Sequence, residues 1–240
     1  MTSSDNSSTT TVVVSTTEST TTTVEVTTTT ITAATTTLDP RPIDPEDQAL
    51  ALAATLQAAS FGEPWKVYSE AAAATVTTDS CAYRPDGAIT LLTNGAAQSG
   101  PTMQLGDAGG YVSSSGAAFP DESLAMEYIG VLNTDDWAAC RVAELQKFQT
   151  NNGSTSVVEL ATRETPTLNQ SGFESYAEFD LKSAEGELQE VLLQSTYRLG
   201  RAVISQIVEL GALSDSDATK VQDDAYTALS DAYDRVYALL

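Results

Sequence analysis

Few residue types in this chain have the chemistry to act on a substrate or hold an ion. Its 240 residues include two cysteines, Cys81 and Cys140, and no histidine. Without an imidazole, a Ser-His-Asp triad is excluded, and only Ser-Lys or carboxylate chemistry is left to a hydrolase. Glu159, Glu164, Glu174, Glu178 and Glu187 could supply a carboxylate pair for acid and base work. They fall in runs with strand character, where outward-facing polar positions explain them more simply. Asp215, Asp217, Asp223 and Asp224 offer oxygen ligands, but lack the central Gly and closing Glu of an EF-hand loop. Helix capping and a solvated helix face account for them better. The chain is therefore expected not to be an enzyme, and to carry no cofactor and no metal.

The cysteines admit three readings. A zinc site needs four ligands, and two cysteines without histidine would have to recruit carboxylates, an uncommon set. A reactive thiol needs a lowered pKa and a nearby base. In the stretch TDDWAACR, residues 134–141, only Arg141 beside Cys140 points that way. The third reading is structural, either a disulfide or two unpaired buried thiols. An even cysteine count in an exported chain favours a Cys81–Cys140 disulfide. Such a bond would contribute roughly 4 kcal/mol, less any strain, by restricting the unfolded chain. It would staple the turn-rich stretch after Cys81 onto the helix that carries Cys140.

The elements that must position these residues begin at Asp44. Residues 1–43 form a separate segment, almost wholly Ser and Thr over 1–37, with Pro40, Pro42 and Pro45 marking the entry to the folded domain. A segment of that composition buries too little apolar surface to offset its ordering entropy, so a disordered stalk or linker is expected, extended rather than helical. Residues 44–240 carry the domain. Asp44 and Pro45 open a helix whose apolar stripe runs toward Phe61 and stops at Gly62. Short strands are expected at 65–68 and 75–78. The stretch 82–110 reads as turns with a weak strand near Met103–Leu105. A strand over 111–119 ends at Pro120, and Leu124, Tyr128, Val131 and Leu132 then mark one face of a helix. Thr134 recaps a second helical run through Cys140 toward Phe148. Four strands come next at about 155–164, 173–182, 188–198 and 201–209, with Leu199-Gly200 as a two-residue hairpin loop. A last helix starts at Ser214–Asp217 and repeats its apolar residues every three to four positions to Leu240. The fold class is α+β: a single antiparallel meander sheet with packed helices.

The charge balance, 33 acidic against 11 basic residues and a net −22, excludes a nucleic-acid partner and an anionic membrane surface. Solubility is its simplest use, and an acid-rich, lysine-poor surface also suits saline surroundings. No run of about 18 apolar residues is present to span a membrane. Residues 1–20 lack the basic and apolar regions of a signal peptide. A Thr-rich stalk has little use in a cytoplasm, so the expectation is a surface or extracellular protein whose true start lies upstream of Met1.

The run SSSGAAFPDESLAMEYIGVLNTDDWAAC resembles the PknH-like extracellular domain, a sensor-type domain of actinobacterial lipoproteins and receptor serine/threonine kinases. Phe119-Pro120 resembles that family's strand end, and Trp137-Ala138-Ala139-Cys140 its aromatic–small–Cys pattern. The strand–turn–strand run Tyr197-Arg198-Leu199-Gly200-Arg201-Ala202-Val203, the terminal helix, and Gly62 to Trp65 are similar in the same order, so the likeness spans roughly 44–240. It implies an exported α+β domain that binds something in a cleft between sheet and helices, without enzymatic activity. Members with kinase domains carry two disulfides; this chain can make one, and only the domain type is carried over.

The expected function is thus an exported or surface-tethered ligand-binding domain, its partner an unidentified small molecule or envelope protein. Trp65, Tyr111, Tyr128 and Trp137 are the candidates for a ligand cleft, and their alternative role is to fill the core. An envelope structural or interaction module without a small ligand is the other reading, and a hydrolase the third. A preformed, mostly apolar pocket would mark the first, and an exposed apolar patch the second.

Overall fold

The structure is a computed structural model, and it describes residues 12–14, 22–24, 44–73, 81, 95–107, 109–164, 173–211 and 213–240. The chain divides into two units, Met1–Leu38 and Asp39–Leu240. In the first, β1 (Val12–Val14) pairs antiparallel with β2 (Thr22–Val24). These six residues are extended, as β-branched side chains favour. The remainder of the expected 1–43 stalk lies outside the described residues.

The second unit is built on one nine-stranded antiparallel sheet. Its strands are β3 (Trp65–Ser69), β4 (Ala72–Ala73), β5 (Ala96–Ser99), β6 (Thr102–Leu105), β7 (Gly110–Ala118), β8 (Val157–Glu164), β9 (Ser175–Lys182), β10 (Leu188–Leu199) and β11 (Ala202–Leu210). Strands β8 to β11 form the expected meander. The order across the sheet is β3-β6-β7-β11-β10-β9-β8, with β5 also on β7 and β4 on β5. The α+β class is therefore as the sequence implies.

Helices lie on both faces. Helices α1 (Pro45–Ala53) and α4 (Asp215–Tyr237) cover one; α2 (Glu122–Leu132) and α3 (Asp135–Asn151) cover part of the other. Each starts on a side-chain cap: Asp44, Ser214, Asp121 and Thr134 accept a backbone N–H from the first turn. Strand β11 shows how the two cores are separated. Ala202, Ile204 and Val208 face the α1/α4 core, and Val203, one residue out of phase, joins the α2/α3 core.

Local geometry shifts four of the expected boundaries. Helix α1 stops at Ala53 instead of running to Phe61, because the Leu56 N–H donates to Ser114 Oγ on β7, 2.9 Å away, and pulls the chain off the helix axis. The stretch expected as turns contains β5 as well as β6. Ala96-Ala97-Gln98-Ser99 has weak strand propensity, and pairing with β7 and β4 supplies what propensity lacks. The β10–β11 loop is Gly200-Arg201, one residue on from the expected pair, with Leu199 opposite Ala202 and Gly200 at φ 56°. Fourth, α3 runs on to Asn151. The strand expected at 75–78 lies outside the described residues.

One glycine sets how closely α1 approaches the sheet. A Cβ on Gly116 of β7 would lie 2.1 Å from the Ala51 carbonyl oxygen, so α1 packs directly on bare backbone there.

Candidate functional site

The sheet face that carries α2 and α3 is covered unevenly, and the sequence of its strands shows why. The side chains of β11 on that face run Val203, Ser205, Ile207, Glu209; the facing residues of β7 run Ala117, Ser115, Ser113, Tyr111. Val203 and Ala117 lie in the α2/α3 core. Beyond them the residues become hydroxylic, then acidic and aromatic, and the helices no longer close over them. The opening is a groove between the second half of α3 and strands β3, β6, β7, β10 and β11.

Three adjoining cavities make up this groove, and Ser113 and Ile207 line all three. The inner one, about 330 Å³, is polar, with Ser99, Ser115, Ser205, Tyr128, Arg141 and Gln194 in its walls. The middle one, about 500 Å³, lies under α3 and is bounded by Arg141, Glu144, Phe148, Leu192, Glu190 and Glu209. The outer one, about 320 Å³, is framed by Tyr68, Tyr111, Phe148, Thr102 and Glu209. These are volumes that suit small ligands, but the walls are about as polar as apolar, so the groove departs from the mostly apolar pocket expected of a binding domain.

Arg141 spans the inner and middle cavities. Its Nε donates to Gln194 Oε1 at 3.2 Å and its Nη1 to Glu144 Oε2 at 3.3 Å, one turn along α3. Gln194 is buried, and this bond satisfies its carbonyl. Glu209 meets Glu190 at the other side. Burial, the hydrogen bond with Glu190 and the Glu190 charge push its carboxyl up to about 8, so Glu209 keeps its proton at neutral pH. Burial and the charges of Tyr68, Glu209 and Glu190 raise the Tyr111 phenol as well, which stays neutral there.

The expected cleft residues are not brought together. Trp65 is 7% exposed in the α1/α4 core, tilted against Phe61, and its Nε1 donates to Asp224 Oδ2 at 2.6 Å. Trp137 is 2% exposed in the α2/α3 core against Phe179. Tyr128 packs on Phe119 and reaches the wall of the inner cavity. Tyr111 frames the outer cavity, edge-on to Tyr68 at 5.2 Å. Only the two tyrosines border the groove, at opposite ends.

Cys81 and Cys140 form a disulfide with Cα atoms 5.7 Å apart. Cys81 is buried in the α2/α3 core, and the bond fastens its segment to the start of α3's second turn. Glu144 lies within 4.8 Å of both sulfurs, but the sulfurs are joined to each other and present no thiolate to a metal.

The candidate carboxylates are also placed. Glu159 pairs with Lys182 at 2.7 Å. Glu174 receives both Nε and Nη2 of Arg198, at 3.0 and 3.2 Å, while Arg198 Nη1 reaches Glu122 at 2.7 Å. Glu178 accepts from the Tyr176 hydroxyl at 3.2 Å. In α4, Asp217 belongs to the Ser214 cap. Asp224 is no solvated position, because it is half-buried between Trp65 and Lys220. Burial raises its carboxyl pKa, and hydrogen bonds from Lys220 and Trp65 outweigh that and hold it low.

Sequence reasoning missed Glu190, Glu209, Tyr68 and Phe148. A signal existed for the acids. Counting outward from the hairpin loop places Glu209 across from Glu190 in the expected register, and across from Leu192 in the observed one. Both put the two acids on one face.

Fold and groove together define an α+β domain with helices on both faces of one antiparallel sheet and an acidic, aromatic-edged groove on one of them. No family model matches the sequence, and no curated protein matches it. Among solved structures the chain is similar to the extracellular domain of PknH from Mycobacterium tuberculosis. The TM-score is 0.42 at 9% identity, covering 83% of this chain and 100% of that one.

Proposed function

We propose that this chain is an exported or surface-tethered, non-enzymatic binding domain of the sensor type, related to the PknH-like extracellular domains. The groove between α3 and the sheet is its ligand site. The observation that carries this reading is the groove itself: three adjoining cavities on a sheet face that the helices leave open. The order of motifs from Gly62 through Cys140 to Val203 supports the family assignment. The disulfide supports an oxidising, extracellular setting, where such bonds persist. Among the described residues, no helix is long and apolar enough to cross a membrane.

A sensor domain needs a site whose occupancy changes something else. Helix α3 is placed for that, since it forms one wall of the groove and holds the disulfide. A ligand that draws Arg141 away from Glu144 would act on this helix directly.

The test fills the groove. Ser113 is half-buried and lines every cavity. A Ser113→Trp variant is expected to melt within a few degrees of the parent while losing ligands found by a thermal-shift screen of glycans, amines, peptides and polyols. Ligands that bind the variant and the parent alike would remove the groove as the site.

A further inference from the structure

We propose that the groove binds an organic ammonium ion where its outer and middle cavities meet at Glu209 and Phe148, held by the Glu209 carboxylate with Glu190 beside it and by the rings of Tyr68, Tyr111 and Phe148. This names a ligand class for the groove and rests on the groove being the binding site.

Three rings from three different elements, β3, β7 and α3, converge on one cavity of about 320 Å³. Tyr68 and Phe148 are 67% and 61% exposed, and both border the same cavity as Glu209. Their interplay with a carboxylate is the chemistry an organic cation needs: ring faces for its alkyl groups, a negative charge for its nitrogen. An inorganic cation gains little from the rings, because it keeps its water.

The electrostatics favour a cation over any other charge. From the strands, the groups facing Glu209 are Glu190 on β10, Tyr111 on β7 and Tyr68 on β3. From α3 come Glu144 and Arg141, paired with each other. Arg141 is also held by Gln194, so its charge is committed. The acid pair therefore lacks a cationic partner among the described residues, and a proton stands in for one. When an ammonium ion enters, the Glu209 proton leaves to solvent and its carboxylate faces a cation. Affinity should then rise with pH as Glu209 gives up its proton.

The experiment uses the full chain and two probes of the same shape, choline and its neutral carbon analogue 3,3-dimethylbutan-1-ol. Binding is followed by NMR titration at pH 6 and pH 8.5. Choline is expected to shift the Tyr68, Tyr111 and Phe148 signals, to bind at least tenfold more tightly than the alcohol, and to weaken at pH 6. Glu209→Gln is expected to reduce choline affinity tenfold or more. Phe148→Ala, at an exposed position that does not disturb folding, should do the same. Equal binding of choline and the alcohol would overturn the cation assignment and leave the groove as the site. Choline binding that persists in both Phe148→Ala and Ser113→Trp would overturn the location itself.

Discussion

Glu209 is an acid on a strand whose other side is core, facing a second acid two residues along the neighbouring strand. Two carboxyls at that range cannot both ionise cheaply, so one keeps its proton. The consequence for stability has a definite sign. An unfolded glutamate loses its proton near 4.3, whereas folded Glu209 holds its own to about 8. Between those values the folded chain binds more protons than the unfolded one, so this pair makes stability fall as pH rises. Glu209→Gln keeps a hydrogen bond with Glu190 and removes the ionisation. Urea midpoints at pH 5, 7 and 9 should decline less in that variant than in the parent; parallel declines would show that folded Glu209 does not hold its proton. Trp65 illustrates the opposite case at the same scale. Its indole N–H reaches Asp224, which Lys220 also neutralises, so a charged group from α4 is settled at the edge of the core rather than left against it.

The elements differ in how much holds them. Strands β7, β10 and β11 pair over most of their lengths and are gripped by helices. The segment around Cys81 is fastened to α3 by the disulfide. Removing that cross-link with a Cys81→Ser, Cys140→Ser double substitution should cost up to about 4 kcal/mol of unfolding free energy. Hydrogen exchange should then speed up first in β4 and β5, which flank Cys81 in sequence, and not in α4. Uniform loss of protection across the sheet would mean the bond stabilises the whole domain evenly. Helix α1 depends on a different device, the bare backbone of Gly116, which lets its Ala51–Ala54 turn sit on β7. The arginines at the sheet's closing hairpin add ties of another kind. Arg201 bonds Asp47 on α1 and the Phe119 carbonyl, so the turn between β10 and β11 is anchored to two other elements.

For the whole molecule, charge is the dominant fact. A net charge of −22 repels itself in the folded state more than in the expanded one. Raising the salt from about 0.05 to 1 M shortens the screening length from more than 10 Å to about 3 Å. The melting temperature of the full chain should rise markedly over that range, beginning at concentrations well below those at which salts act through apolar hydration. A flat response would mean that the acids left over after pairs such as Glu174–Arg198 and Glu159–Lys182 lie too far apart to repel one another appreciably.

Much of this architecture was legible residue by residue. The runs of strand character marked β8 to β11, period-3.6 runs marked α2 and α4, and the caps at Asp44, Thr134 and Ser214 marked helix starts, because these signals are local and each element's backbone bonds depend on them. The disulfide was legible from count and composition. The groove was not. Trp65 and Trp137 drew attention as large aromatics, yet burial claimed both, whereas Tyr68 and Phe148 remain exposed at the rim of the groove. Glu190 and Glu209 look like ordinary surface acids until strand pairing brings them together across the β10–β11 hairpin. Composition, capping and periodicity are properties of neighbours in sequence, and the chain by itself determined the class of fold and the acidity and favoured the cross-link. Which face stays open, and which acid is held protonated there, depends on contacts between residues far apart in sequence, and only the tertiary structure decided that.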